Sequence, residues 1–367
     1  MRSDVLIYFI ANIFINSILA FVISALMVEF FVFMFRLEKY KAYRTIHFLR
    51  LLPFIKIIYD VLFNFKVSSW AIANGVDIIN RNPGSIMFNL GAIYLKPFIP
   101  VYYYFDFSIY RSYTFSLGDI ITQNIGFTWT FYIVLFISMI SITMVVYNLI
   151  RLFYSNVAIK LIISDSIVNT RKIYNAELKQ KLINRNIKVF ISKEEGFTPF
   201  SYGVLFPKII IPSGFIADLT QEEFEALISH EVEHLGWWDT ISNFVIIIIS
   251  SFFWFIPFMR SYIKRVQLAK ELACDKSCLK YYYSTLTLAE LLQKAVYYVR
   301  SAGFTTVTPL FTFCSTLVVR VKSLMDLSAI DSGKANNAFR RAIGTLVVLV
   351  ISLFVSLFVL NSRLGIM

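Results

Sequence analysis

Residues 229–234 read Ser-His-Glu-Val-Glu-His, and they contain two of only three histidines in the 367-residue chain. On an α-helix, side chains four residues apart lie one above the other, so the imidazoles of His230 and His234 can reach one metal ion. The carboxylate of Glu231 is then placed to take a proton from a water at that ion. The spacing therefore predicts a helical metal site with its own general base. The alternative is a pair of satisfied core histidines on a buried helix.

The pattern His-Glu-x-x-His is typical of zinc peptidases, whose catalytic zinc takes three protein ligands and leaves the fourth position for water. We predict Glu271 as the third ligand, on a separate helix over about 266–280, 37 residues beyond His234 (271 − 234). Asp275 shares a helix face with Glu271 and is predicted to accept the free N–H of a ligand imidazole. Asp239 is a further candidate, either to orient a ligand or to cap the helix end. The alternative for Glu271 and Asp275 is a solvated acidic patch.

The expected cofactor is one Zn²⁺ ion per chain. Cys274 and Cys278 are also four residues apart and could bind a soft metal, but such a site would leave the two histidines without a purpose. Together with Cys314 they are expected to be free thiols, because three cysteines do not make a disulfide framework.

The composition points to a multi-pass membrane protein: 57% of residues are hydrophobic and 16% are charged, with 37 Phe and 21 Tyr. The net charge is +12, and the lysines and arginines cluster beside apolar runs, as cytoplasmic flanks of membrane spans do. Anionic lipid is therefore the expected partner of this charge, and direct nucleic-acid binding is not expected.

The positive-inside rule gives an organisation with four spans, the N- and C-termini outside and the large domain in the cytoplasm. Its parts are a transmembrane hairpin over 1–65, an extracytoplasmic segment over 66–124, a span over 125–154, a cytoplasmic domain over 155–342, and a C-terminal span within 343–367. Residues 86–105 are interpreted as an interfacial segment on the outer side. Within the hairpin, Glu29 is expected to meet Arg50 or Lys56.

The 155–342 domain is predicted to mix helices and strands. A helix is expected over 176–184, a strand over 187–192, and two strands over 200–206 and 208–211 that meet at Pro207. Thr220-Gln221-Glu222-Glu223 is a capping box that opens the histidine helix. The apolar run 241–258 cannot cross the bilayer completely, because His234 and Glu271 would then lie on opposite faces. It must re-enter and return, bending near 250–251 or Pro257, or lie buried against the domain.

Taken in order, these motifs resemble the membrane-embedded gluzincin peptidases of the BlaR/MecR type, over about residues 151–327. They are the strand pair at 198–212, the histidine motif, the aromatic stretch at 253–257, and Glu271-Leu272-Ala273-Cys274-Asp275. The resemblance implies a zincin-like α+β protease domain inserted into a multi-pass helical protein of a bacterial cell membrane. It implies zinc at His230, His234 and Glu271, catalysis by Glu231, support from Asp275, and an edge strand that holds substrate backbone.

Members of that family cut themselves or help to inactivate a cytoplasmic transcriptional repressor, so the expected partner is a protein substrate of this kind. The antibiotic sensors of the family carry a penicillin-binding domain after their last span, whereas only residues 361–367 follow here, and β-lactam sensing is not expected.

The sequence leaves three alternative functions. One is a membrane quality-control protease of the HtpX or CAAX-prenyl-protease type, and another is a signalling scaffold that keeps the zinc fold without hydrolysis. A transporter would depend on Lys56 and Asp60 alone.

Overall fold

The computed structural model describes residues 3–73, 127–301 and 310–327, except 170, 196, 204, 237, 238 and 282. In this part of the chain the protein is mostly helical and has one four-stranded sheet. The helices are α1 (Ser3–Met34), α2 (Tyr43–Ala73), α3 (Phe127–Ser164), α4 (Ala176–Asn184), α5 (Ser213–Ala217), α6 (Gln221–Gly236), α7 (Asp239–Phe252), α8 (Met259–Cys278), α9 (Thr285–Ser301) and α10 (Leu310–Leu327). The strands are β1 (Ile167–Val168), β2 (Lys188–Ser192), β3 (Phe200–Tyr202) and β4 (Lys208–Pro212).

The chain divides into two compact units. The first gathers the described parts of 1–144 with residues 249–262, and the second contains 145–248 and the described residues that follow 262.

In the first unit, Arg50 binds Glu29 through two hydrogen bonds of 2.8 and 3.0 Å and also reaches Glu38 at 3.0 Å. The predicted meeting of Glu29 with Arg50 is therefore confirmed. Phe21 packs edge-on against Phe54 with ring centroids 5.5 Å apart.

Membrane character is clearest in α3. Among the described residues, one helix is long and apolar enough to cross a membrane, over Phe131–Ser164, and its side chains are mostly exposed. α2 continues to Ala73, past the predicted end of the hairpin at 65. The interfacial segment 86–105, the C-terminal span at 343–360 and most of the extracytoplasmic segment lie outside the described residues.

The sheet has the order β1-β2-β4-β3, with β2 and β4 parallel and both outer pairs antiparallel. β-Branched side chains dominate β4, and Ile209, Ile210 and Ile211 are fully buried. β3 is an edge strand and ends at Tyr202, so the strand expected over 200–206 is shorter than predicted. The reason is Gly203, whose positive φ of 92° turns the chain directly after Tyr202.

The helix α6 begins at the predicted capping box. The Thr220 hydroxyl accepts a hydrogen bond from the Glu223 backbone N–H at 3.2 Å, and the Glu223 carboxylate accepts one from the Thr220 N–H at 2.8 Å. The apolar face of α6, with Phe224, Ile228 and Val232, is fully buried in the core that covers one face of the sheet. This packing fixes the orientation of the histidine-bearing face.

The apolar run 241–258 turns back on itself. α7 ends at Phe252, and α8 starts at Met259, seven residues before the expected start at 266 (266 − 259). Pro257 and Phe258, whose φ is +62°, lie in the turn between the two helices. The second of the two expected bend positions is therefore the one used, and α8 carries Glu271 back to α6.

Candidate metal centre

Two helices supply the candidate ligands. α6 presents His230 and His234 one turn apart, and α8 presents Glu271 opposite them. The two Nε2 atoms are 3.1 Å apart, Glu271 Oε2 is 3.5 Å from the Nε2 of His230, and Glu271 Oε1 is 3.7 Å from that of His234. In a tetrahedral zinc site with bonds of about 2.0–2.1 Å, ligand atoms lie about 3.3 Å from one another. The three side chains therefore fit around one zinc ion.

Glu231 lies beside these ligands. It belongs to a group with His230 and His234 whose ligand atoms all lie within 4.8 Å of one another. Burial raises the pKa of the Glu231 carboxyl, although the positive charge that the two imidazoles can carry and a hydrogen bond with the Ser201 side chain work against this rise. Ser201 belongs to β3, so the edge strand lies next to the proposed general base.

The outer nitrogens of both imidazoles have partners. Nδ1 of His230 is 3.2 Å from Asp275 Oδ1 and 4.0 Å from the sulfur of Cys278, and Nδ1 of His234 is 3.4 Å from the sulfur of Cys274. On each ring, Nδ1 therefore contacts a side chain of α8, while Nε2 faces Glu271. Asp275 lies where the sequence predicts an imidazole partner; the contact of Cys274 was not anticipated.

Arg320 of α10 completes the centre, and sequence reasoning missed it. It is 1% exposed and donates two hydrogen bonds to Asp275, from Nε at 2.8 Å and from Nη2 at 2.7 Å. Its Nη1 forms an ion pair with Glu271 Oε2 at 3.1 Å. The available signal was an arginine inside the apolar run Leu317-Val318-Val319-Arg320-Val321, because a buried charge there requires a partner.

The electrostatics of the centre favour a cation between the ligands. Burial alone would lower the pKa of His230, yet Asp275, Cys278 and Glu271 raise it well above the ordinary value. Burial would also raise the pKa of Glu271, yet His234 and Arg320 hold it well below its usual range. With neutral imidazoles, the carboxylates of Glu231, Glu271 and Asp275 outnumber the nearby cations, Arg320 and Lys270, so a bound metal cation would offset the remaining negative charge.

Glu233, in the middle of the histidine motif, takes no part in this arrangement. Glu233 points away from the centre: it binds the Lys181 ammonium and accepts a hydrogen bond from the Tyr281 hydroxyl at 3.0 Å. The side chain of Asp239 lies outside the described residues, and its role in orienting a ligand or capping the helix end stays a prediction.

Comparison with known proteins gives a consistent result. A family model described as BlaR1 peptidase M56 matches residues 13–296. The methicillin resistance mecR1 protein of Staphylococcus aureus is 25% identical over 123 residues, which cover 29% of this chain and 21% of that protein. The regulatory protein BlaR1 of Bacillus licheniformis is 27% identical over 130 residues, which cover 35% of this chain and 22% of that protein. The chain thus spans only about a fifth of the length of these relatives.

Proposed function

Because the chain belongs to the BlaR1 peptidase M56 family, we propose that it is a membrane-embedded, zinc-dependent endopeptidase that cuts a cytoplasmic or juxtamembrane protein. The observation that carries this proposal is the convergence of the Nε2 atoms of His230 and His234 with the carboxylate of Glu271. Neither the histidine spacing nor the Glu271 helix alone would make a three-ligand site.

In the proposed mechanism, His230, His234 and Glu271 hold the metal. When bound, zinc supplies a Lewis acid that polarises the scissile carbonyl and activates water. Glu231 takes the proton from the attacking water and passes it to the leaving amine, and its raised pKa suits a group that must both accept and return a proton. Asp275 and Cys274 contact Nδ1 of the two imidazoles, so both rings keep Nε2 toward the metal position. Arg320 binds both Asp275 and Glu271 and thereby fixes the positions of these two carboxylates relative to each other.

The proposed substrate is bound as an added strand along β3. This strand is at the sheet edge, and its residue Ser201 contacts Glu231, so a peptide paired with it would pass the general base. We propose a signalling role, with a transcriptional repressor or the chain itself as the protein that is cut. The relative from Bacillus licheniformis is a regulatory protein, which supports this role.

The proposed location is the bacterial cell membrane, with several spans, the protease domain in the cytoplasm, and both termini outside. The apolar, exposed α3 and the basic residues that follow it support this location. The zinc ion and the lipid bilayer are the non-protein partners.

The direct test is the substitution Glu231→Gln in the full chain. We expect the variant to keep about one zinc per chain while cleavage falls by at least about 100-fold, since a general base contributes roughly that much or more. Fragments in cells that express either protein would be compared by quantitative proteomics, and zinc would be measured by mass spectrometry.

The matched control is Glu222→Gln on the same helix. Glu222 is exposed and accepts a hydrogen bond from Thr287, which an amide oxygen can also accept. Unchanged cleavage in cells with the Glu231→Gln variant would contradict the proposed endopeptidase. It would favour a signalling scaffold that keeps the zinc fold without hydrolysis.

A further inference from the structure

The turn between β3 and β4 carries two large apolar side chains in an unusual position. We call its described residues, Gly203, Leu205, Phe206 and Pro207, the hairpin tip. Leu205 is 85% exposed and Phe206 is 76% exposed, although both are large hydrophobic residues. Adjacent exposed side chains of this size mark a surface that contacts something other than water.

The direction of β3 shows where the hairpin tip lies along α3. At its start, Phe200 pairs with Ile210, which packs in one cluster with Ile162 of α3. Two residues later, the Tyr202 hydroxyl donates a hydrogen bond of 3.0 Å to Asn156, which is six residues nearer the start of α3. β3 therefore runs back along α3, and the hairpin tip continues in the same direction.

That direction leads toward the apolar part of α3. About 20 residues span the ~30 Å hydrocarbon core of a bilayer, so a span that begins at Phe131 ends near residue 150. Asn156 lies about 9 Å beyond that point, at the depth of the lipid headgroups. Phe153 and Tyr154, which are 66% and 68% exposed, are the aromatic side chains expected at this depth.

The hairpin tip also has a basic border. Lys188 pairs with Lys208 across β2 and β4, and the Lys188 N–H donates to the Pro207 carbonyl at 3.3 Å. Two lysines thus lie next to the hairpin tip in the sheet, and the ammonium of Lys208 lies 5.5 Å from the centre of the Phe190 ring. Apolar side chains bordered by cations match the chemistry of an anionic lipid surface, where the acyl boundary lies beneath a negative headgroup layer.

The backbone keeps these side chains together. Gly203 has a φ of +92°, and a Cβ at this position would lie 2.5 Å from the carbonyl oxygen of Phe206. The turn is therefore tight, and its two ends approach each other closely enough that only glycine fits.

We propose that the hairpin tip inserts into the cytoplasmic headgroup boundary of the membrane that α3 crosses, with anionic lipid as its partner. This inference rests on the membrane location proposed above. The edge strand and Ser201 beside Glu231 are then held at the bilayer surface, which selects substrate segments that lie close to the membrane.

The test uses the full chain with Phe206→Cys, and an environment-sensitive fluorophore is attached to this new cysteine. Cys314→Ser removes one competing thiol. Cys274 and Cys278 are buried and stay unchanged. The protein is reconstituted in vesicles of phosphatidylcholine and phosphatidylglycerol that contain shallow spin-labelled lipid. The control is Tyr297→Cys, a 74% exposed site on α9. Its neighbour Tyr298 packs against Phe215, which follows the end of β4 opposite the hairpin tip. The control position therefore lies away from the tip. We expect at least two-fold stronger quenching at 206 than at 297.

Equal quenching at the two positions would overturn the proposal. So would shielding at 206 without quenching by spin-labelled lipid, since this would indicate a second copy or another protein on the tip. The measurement is repeated with Glu231→Gln, so that its result does not depend on hydrolysis. A chain that cleaves its substrate but shows no lipid quenching at 206 would refute this inference alone.

Discussion

At the scale of single residues, Arg320 is tightly constrained by its burial and by its ion pairs. It is buried with two carboxylates, and removing it would leave Asp275 and Glu271 without their shared counter-charge. Loss of one partner from a buried ion pair costs about 3–5 kcal/mol. We therefore predict that Arg320→Met lowers the free energy of unfolding of the metal-free protein by that amount, measured by thermal or denaturant unfolding.

The control for this prediction is Lys322→Met, an exposed position on the same helix. If both substitutions change the free energy of unfolding by the same small amount, Arg320 does not hold the acidic residues together.

The spacing of the histidines predicted one half of the site, because residues four apart on a helix must share a face. Glu271 and Asp275 could be chosen for the same reason on a second helix. Arg320 and Ser201 could not be found this way, since they come from elements far apart in the chain. Only the tertiary packing of α10 and β3 brings them to the carboxylates.

At the scale of elements, the capping box of α6 gives a prediction about pH. Burial would raise the pKa of Glu223, but the hydrogen bonds from Lys294 and Thr220 lower it below its ordinary value of 4.5. A folded-state pKa below the ordinary value stabilises the protein at pH values above 4.5, and this contribution is lost as the pH falls through the lowered pKa.

The substitution Glu223→Gln keeps an oxygen for the Thr220 N–H and removes only the charge. We expect it to melt at a lower temperature at pH 7, with the difference from the native chain shrinking below pH 4.5.

Glu290→Gln on α9 is the exposed control for this pH series. A melting difference for Glu223→Gln that stays constant from pH 7 to pH 3.5 would contradict the assignment of the effect to the carboxylate charge.

The local elements differ in how far the sequence determines them. α4 has the predicted bounds, because Asn175 caps it and its apolar positions Leu178 and Leu182 recur at helical spacing. The early end of β3 depends on one glycine with positive φ, which β-propensity does not report. The strand order β1-β2-β4-β3 also has no local signal, because it is decided by which faces pack against α3 and α6.

At the scale of the whole molecule, the proposed topology makes its own prediction. The chain should remain with the membrane after alkaline carbonate washing, since α3 exposes a long apolar surface. Trypsin should cut the 155–342 domain in inside-out vesicles and leave it intact in right-side-out vesicles. Digestion of this domain from the outer face would contradict the cytoplasmic location.

The requirement that His234 and Glu271 meet restricts the path of residues 241–258. The sequence leaves three solutions open: a return bend near 250–251, a return bend near Pro257, or a run that lies buried against the domain. The turn at Pro257 and Phe258 is selected by packing, with Phe255 against Phe14 of α1 at 5.2 Å between ring centroids. Such a contact between distant segments cannot be inferred from hydropathy.

The most direct test of the three-ligand centre is the zinc content of the purified full chain after dialysis against a weak chelator. We predict about one zinc per chain for the native protein and for Glu290→Ala, and a loss of nearly all of it for Glu271→Ala, because His230 and His234 alone cannot complete the site. A native chain without zinc, or a Glu271→Ala variant that keeps its full zinc content, would contradict the three-ligand centre.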